Sequence, residues 1–185
     1  MKIKSAKNFL VNLLKAMEDT SRLFDSDFVR RTELIFSYAP MSKKIAMSGS
    51  LDSGDVYKGF KNLEHRKLIQ KKGSDYKLTK KGVIWCRRLS IKYFQIKHKQ
   101  WDKKWRVVIF DIPREFNRER DVLRGKLKEF GFYMLQESVF IFPYPCENEL
   151  EDLCTRIGIE DYVDILVAES GGLKEAELLK IYNLV

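Results

Sequence analysis

The stretch Trp105-Arg106-Val107-Val108-Ile109-Phe110-Asp111-Ile112-Pro113 decides how the second half of this 185-residue chain is read. Val107 to Phe110 is a continuous, mostly β-branched apolar run, the kind carried by a strand buried on both faces. Asp111-Ile112-Pro113 ends it, because proline has no N–H to give a ladder. Downstream, Val122, Leu123, Leu127 and Phe130 recur at helical spacing and predict a helix near 117–130, with Arg118, Arg120, Arg124 and Lys128 largely outward. After Gly131, strands are expected around 132–136 and 138–142, closed by the turn Pro143-Tyr144-Pro145. Leu150, Leu153 and Ile157 predict a helix over 147–157, and Tyr162 to Ala168 a last strand.

Strand–helix–strand–strand–helix–strand is the split-βαβ, or ferredoxin-like, order. The terminal run Leu178-Leu179-Lys180-Ile181-Tyr182-Asn183-Leu184-Val185 predicts one strand more, able to extend its own sheet or a partner's.

Upstream, Phe9, Leu10, Leu13, Leu14 and Met17 make a helical stripe over about 4–18. Phe28, Thr32 and Ile35 suggest a second helix over 26–38, before Ala39-Pro40-Met41 breaks the chain. A third helix, running to about Lys67, has Val56, Phe60 and Leu63 on one face and Lys58, Lys61, Asn62 and His65 on the opposite one. Asp55 and Glu64 lie to the sides. A face of cations and an amide suits phosphates and base edges. Two strand-like runs, Leu68–Lys72 and Tyr76–Thr79, flank the turn Gly73-Ser74-Asp75 and place Lys71 and Lys72 near its tip. A further helix begins at Lys80. Helix, hairpin and helix in this order predict a winged helix-turn-helix, whose third helix enters the major groove while the wing follows phosphates.

The fold class expected is therefore α+β: a winged helix-turn-helix over 1–90, a basic and aromatic connector over 91–104, and a ferredoxin-like βαββαβ domain over 105–185. Charge divides along the same line. Residues 1–100 carry 23 Lys and Arg against 9 Asp and Glu, whereas residues 101–185 carry 12 against 17. Such asymmetry points to a polyanion as partner of the first half. The acidic segment Glu147–Asp164 should repel nucleic acid and reads as solvent face or as a surface for another protein. Arg118, Arg120 and Arg124 are interrupted by Glu115, Glu119 and Asp121, so a solvated mixed-charge helix competes with phosphate contact there.

Cys86, Cys146 and Cys154 are odd in number and widely spaced, which gives neither a disulfide framework nor a zinc motif. With only His65 and His98, a catalytic triad or His-rich metal site has little to draw on. No apolar run approaches the roughly 20 residues a membrane helix needs. The first residues have no signal-peptide core, and a cytoplasmic location is expected.

Trp105 to Glu115, Leu127 to Phe132, and Leu135-Gln136-Glu137-Ser138-Val139-Phe140 resemble two related families. One is the small ferredoxin-like CRISPR-associated endonuclease of spacer acquisition. The other is the central domain of PaaX-type transcriptional repressors, itself built like that endonuclease and likewise preceded by a winged helix. The resemblance implies a PaaX-like DNA-binding repressor acting as a homodimer on a two-half-site operator of double-stranded DNA, dimerised through the ferredoxin-like half. On that reading no enzymatic activity and no cofactor is expected. The alternative is a CRISPR-associated, metal-dependent endonuclease with an added DNA-binding module. The resemblance then carries a metal-binding aspartate over to Asp111, where a dimer-interface pair of Asp111 carboxylates would share one Mg²⁺. A purely structural Asp111 would fix the Asp-Ile-Pro turn. A third reading is an adaptor whose acidic half recruits a protein while the basic half holds DNA.

Overall fold

The structure, a computed structural model, describes residues 12–13, 35–37, 53–96 and 100–184. It divides into two compact units, Met1–Tyr93 and Phe94–Val185. No helix among the described residues is long and apolar enough to cross a membrane.

In the N-terminal unit, β1 (Ile35–Ser37), α1 (Ser53–His65), β2 (Ile69–Lys72), β3 (Asp75–Leu78) and α2 (Lys80–Lys92) follow in order. The strands form an antiparallel sheet of order β1-β3-β2, with Phe36 opposite Tyr76 and Lys71 opposite Tyr76 on the other side. Helix, hairpin and helix thus stand where the sequence expects them. The expected helix over 4–18 lies outside the described residues apart from Asn12 and Leu13, which are helical and buried. The expected helix over 26–38 is corrected at its end. Ile35-Phe36-Ser37 is a strand, because pairing with β3 satisfies its backbone and β-branched and aromatic residues suit a sheet.

Apolar spacing decides what α1 buries. Val56, Phe60 and Leu63 are each 1% exposed, and the Phe60 ring lies 5.4 Å from that of Tyr76 in the hairpin. Leu68, Ile69, Leu78 and Cys86 complete this core. Thr79 caps α2, accepting from the Gly82 N–H at 3.0 Å and donating to the Lys67 carbonyl at 2.7 Å. Gly82 is required by close approach, since a Cβ there would fall 1.9 Å from the Leu68 carbonyl oxygen.

The C-terminal unit contains β4 (Trp105–Phe110), α3 (Asn117–Glu129), β5 (Tyr133–Gln136), β6 (Val139–Phe142), α4 (Glu147–Ile157), β7 (Val163–Ala168) and α5 (Glu175–Ile181). Its sheet order is β5-β6-β4-β7, antiparallel throughout, which is the ferredoxin-like arrangement. Along β4, period-two alternation puts Arg106, Val108 and Phe110 on one face and Trp105, Val107 and Ile109 on the other. The first face is buried. The second is buried at Trp105 but opens towards Ile109, which is 37% exposed. β4 is thus covered on both sides only at its start, not along its length as the apolar run suggests. In α3, Leu123 and Leu127 are buried, but Val122 faces outward and Lys126 is buried in its place, paired with Glu129 at 2.9 Å.

The terminal strand expected over 178–185 is corrected: Leu178 to Ile181 end a helix, and no strand follows among the described residues up to Leu184. α5 covers the open sheet face with Leu178, which packs with Trp105 and Ile141, and Val107, Tyr133, Leu135 and Tyr182 pack around them. The Tyr182 hydroxyl accepts from the Tyr133 N–H at 2.9 Å, and the Gly131 and Ile141 carbonyls lie at 2.8 and 3.1 Å as its acceptors. It therefore finishes the β5–β6 ladder, and burial pushes its pKa up to about 12. Tyr182→Phe strands the Tyr133 N–H, and chemical denaturation should show a loss of about 1–3 kcal/mol.

Arg106 is, with Lys126, a buried charge of this unit. Its guanidinium meets Asp102 at 2.5 and 2.7 Å, Glu147 at 3.0 Å and the Lys104 carbonyl at 3.1 Å. Hydrogen bonding from Arg106 holds the Asp102 carboxyl down at about 2. A depressed carboxylate contributes stability above its unfolded pKa of roughly 4 and loses it as pH falls through the folded value. Acid unfolding followed by Trp101 and Trp105 fluorescence should therefore steepen between about pH 4 and 2 in the wild type. Asp102→Asn should lose that step.

Candidate nucleic-acid interface

Helical periodicity that buries Val56, Phe60 and Leu63 leaves Lys58, Lys61, Asn62 and His65 exposed together on the opposite side of α1. Lys71 and Lys72 are exposed on β2. The Phe60–Tyr76 contact and the Leu68–Ile69 core fix this hairpin against α1. All six residues expected to meet DNA are thus exposed in one unit, on α1 and the adjoining strand.

The face differs from its sequence reading in one respect. Glu64 reaches Lys61 at 3.1 Å, and that hydrogen bond raises the Lys61 pKa. The lysine also lies over the Tyr57 ring, 6.0 Å from its centroid. Lys61 therefore has a carboxylate to shed before it can serve a phosphate.

Further cations gather where α1 ends and α2 begins. Lys67 takes the left-handed conformation, φ 58°, while the Leu68 N–H donates to the Leu63 carbonyl at 3.0 Å. Glycine usually holds this helix-ending position. Lys81 donates to the Arg66 carbonyl at 3.2 Å, and the Arg66 guanidinium lies 5.5 Å from the Trp85 ring centre. Lys80 and Lys81 occupy the first turn of α2, which has no acidic residue. Cations at a helix N-terminus oppose its dipole. Sequence reasoning passed over Tyr57, Lys67 and Lys81 as site residues; the helix-start position of Lys80-Lys81 was the signal available.

In the C-terminal unit, Asp111 is exposed just past β4, its N–H donating to the Tyr162 carbonyl at 3.1 Å. The Phe116 and Tyr162 rings pack beside this turn, 5.6 Å apart. No group of three or more His, Cys, Asp or Glu side chains that could hold a metal occurs among the described residues.

The family model for the PaaX protein central Cas2-like domain matches residues 98–179. This part of the chain is similar to the PaaX central Cas2-like domain. The match runs from the residues before β4 into α5 and leaves the helix–hairpin–helix unit outside it. No curated protein matches the chain.

Within the matched region the acidic segment is partly spent on internal bonds. Glu147 serves Arg106, and Asp152 pairs with Arg156 at 2.8 Å. Glu151, Glu160, Asp161 and Asp164 remain exposed. Arg124 reaches Glu137 at 3.2 Å, while the buried Nε of Arg120 has no hydrogen-bond partner. All three cysteines are buried and outside any disulfide, and burial pushes the Cys86 and Cys154 thiols up to about 12.

Glu64→Gln should release Lys61. Fluorescence anisotropy with duplex DNA should show tighter binding, by about two- to fivefold, with the gain shrinking as salt rises.

Proposed function

We propose that the chain is a PaaX-like, sequence-specific DNA-binding repressor that works in the cytoplasm as a homodimer on a two-half-site operator. The N-terminal unit acts as a winged helix, with α1 as its recognition helix and the β2–β3 hairpin as its wing. One observation carries this reading: Lys58, Lys61, Asn62 and His65 are exposed along one face of a helix whose other face is locked into a core. Lysines contact phosphates or guanine edges, and asparagine pairs with the adenine edge. Lys71 and Lys72 would follow the backbone. The cations at the start of α2 and the left-handed Lys67 support the same partner, because each stands against a local conformational or electrostatic preference. The PaaX-type domain supplies the repressor half of the reading.

The decisive assay is binding to DNA from the protein's own promoter, with random competitor present. Lys58→Ala/Lys61→Ala should lower specific affinity tenfold or more, since a good base contact contributes about 1–3 kcal/mol. If both lysines meet phosphates, the slope of log affinity against log salt should flatten by about 1.8. Undiminished binding by the double variant overturns the recognition-helix assignment. Mg²⁺-dependent cleavage by the wild type that vanishes in Asp111→Ala would replace the repressor with a nuclease.

A further inference from the structure

We infer that Lys61 and Glu64 act as one unit that reads a single G·C base pair in the major groove, the ammonium donating to the guanine edge while the carboxylate accepts from the cytosine amino group. This deepens the proposed function and rests on α1 being the recognition helix.

Little in the helix itself favours Glu64. It lies in the last turn of α1, where the dipole favours cations, whereas Asp55 in the first turn is well placed. Its partner Lys61 precedes it by three residues, and lysine before glutamate is the weaker order of such a pair. The two side chains are 53% and 32% exposed, and an ion pair so open to water contributes little to stability. Beside cations that suit phosphates, a carboxylate also weakens the attraction that holds a duplex. Folding and indiscriminate DNA binding therefore give Glu64 no role, whereas discrimination between bases does.

The pair has the pattern of one base-pair edge in reverse. In the major groove guanine shows the acceptors O6 and N7, and cytosine shows the N4 amino donor. O6 and N4 are hydrogen-bonded to each other, so they stand about 2.9 Å apart. The Lys61 Nζ and the Glu64 Oε2 stand 3.1 Å apart, a donor beside an acceptor at nearly the same spacing. Laid edge to edge, the ammonium meets O6 and the carboxylate meets N4 without breaking the ion pair. Lysine has three N–H donors, which leaves one for N7. An A·T pair also sets an amino group beside a carbonyl, but thymine adds a methyl group where guanine adds N7. A phosphate offers acceptors alone, so it draws Lys61 off Glu64 and leaves the carboxylate facing like charge.

The unit is also held in place before DNA arrives. Tyr57, one turn earlier, puts its ring centre 6.0 Å from the Lys61 Nζ, while Glu64 holds the ammonium from the following turn. Asn62 projects roughly 100° further round α1, so the base it meets lies at a different position of the site.

The test is selection from a random-sequence duplex library with the full chain, followed by fluorescence anisotropy on the selected duplex and its single base-pair changes. The wild type should enrich a site with one G·C pair whose exchange for A·T or C·G weakens binding about fivefold or more. Glu64→Ala should level that position and leave the others unchanged. Glu64→Gln should turn its cytosine to adenine, because a primary amide suits adenine N6 and N7. On random-sequence duplex both variants should bind more tightly than the wild type, since Lys61 is released. Circular dichroism should show the wild-type fold, the pair being at the surface. A wild-type site without such a position, or one that both Glu64 variants select unchanged, overturns the inference; the recognition helix then still stands if Lys58→Ala/Lys61→Ala weakens binding. No enriched site, with undiminished binding by Lys58→Ala/Lys61→Ala, overturns the recognition helix as well.

Discussion

A guanidinium buried between a strand and a helix start has to find every partner it needs inside the protein. Arg106, 3% exposed, finds them in Asp102, Glu147, the Lys104 carbonyl and, at 3.5 Å, the Pro143 carbonyl. These come from the segment before β4, the turn after β6 and the first residue of α4. Removing one member of such a set strands a charge, a cost of about 3–5 kcal/mol. The rest of the unit is arranged around this demand. Trp105, the next residue back, points to the opposite face and is as deeply buried, donating to Glu175 at 3.2 Å. Two consecutive residues thus tie the sheet to α4 on one side and to the α5 segment on the other.

Where the sequence was legible, its periodicity and its packing agreed. Val56, Phe60 and Leu63 in α1, and Leu150, Leu153 and Ile157 in α4, recur at helical spacing and are buried as that spacing requires. Gly131 and Gly158 end α3 and α4 with φ of 86° and 84°, where glycine has no penalty. The exposed face of α1 was legible too, because a helix with one apolar stripe leaves only one place for its lysines. What the wheel missed was reach. Glu64 sits beside the face by angle, yet a three-residue step brings it to Lys61.

The misreadings have physical causes. Leu178 to Val185 resembles a strand by composition, but Leu178 and Tyr182 are one helical turn apart and are the residues α5 brings to the sheet. Glu175 and Glu177 at the helix start favour the dipole, a cue that outranks the apolar run. At Ile35–Ser37 the competing principle was tertiary, since only β3 explains why the segment is extended. Val122 and Lys126 exchanged roles for a third reason. A lysine stem is long enough to be buried while its ammonium meets Glu129 and lies 5.5 Å from the Phe130 ring centre.

These features divide the work of recognition between the units. Electrostatic attraction to phosphate is indifferent to sequence, and the basic first half supplies it. The second half carries a net negative charge, so on the proposed function it would gain nothing from lying along a duplex. On the proposed function, a chain so divided would approach DNA by its basic unit, which would limit the orientations available to α1. Reading a site long enough to be selective takes more base contacts than one exposed helix face offers, and a second copy doubles them.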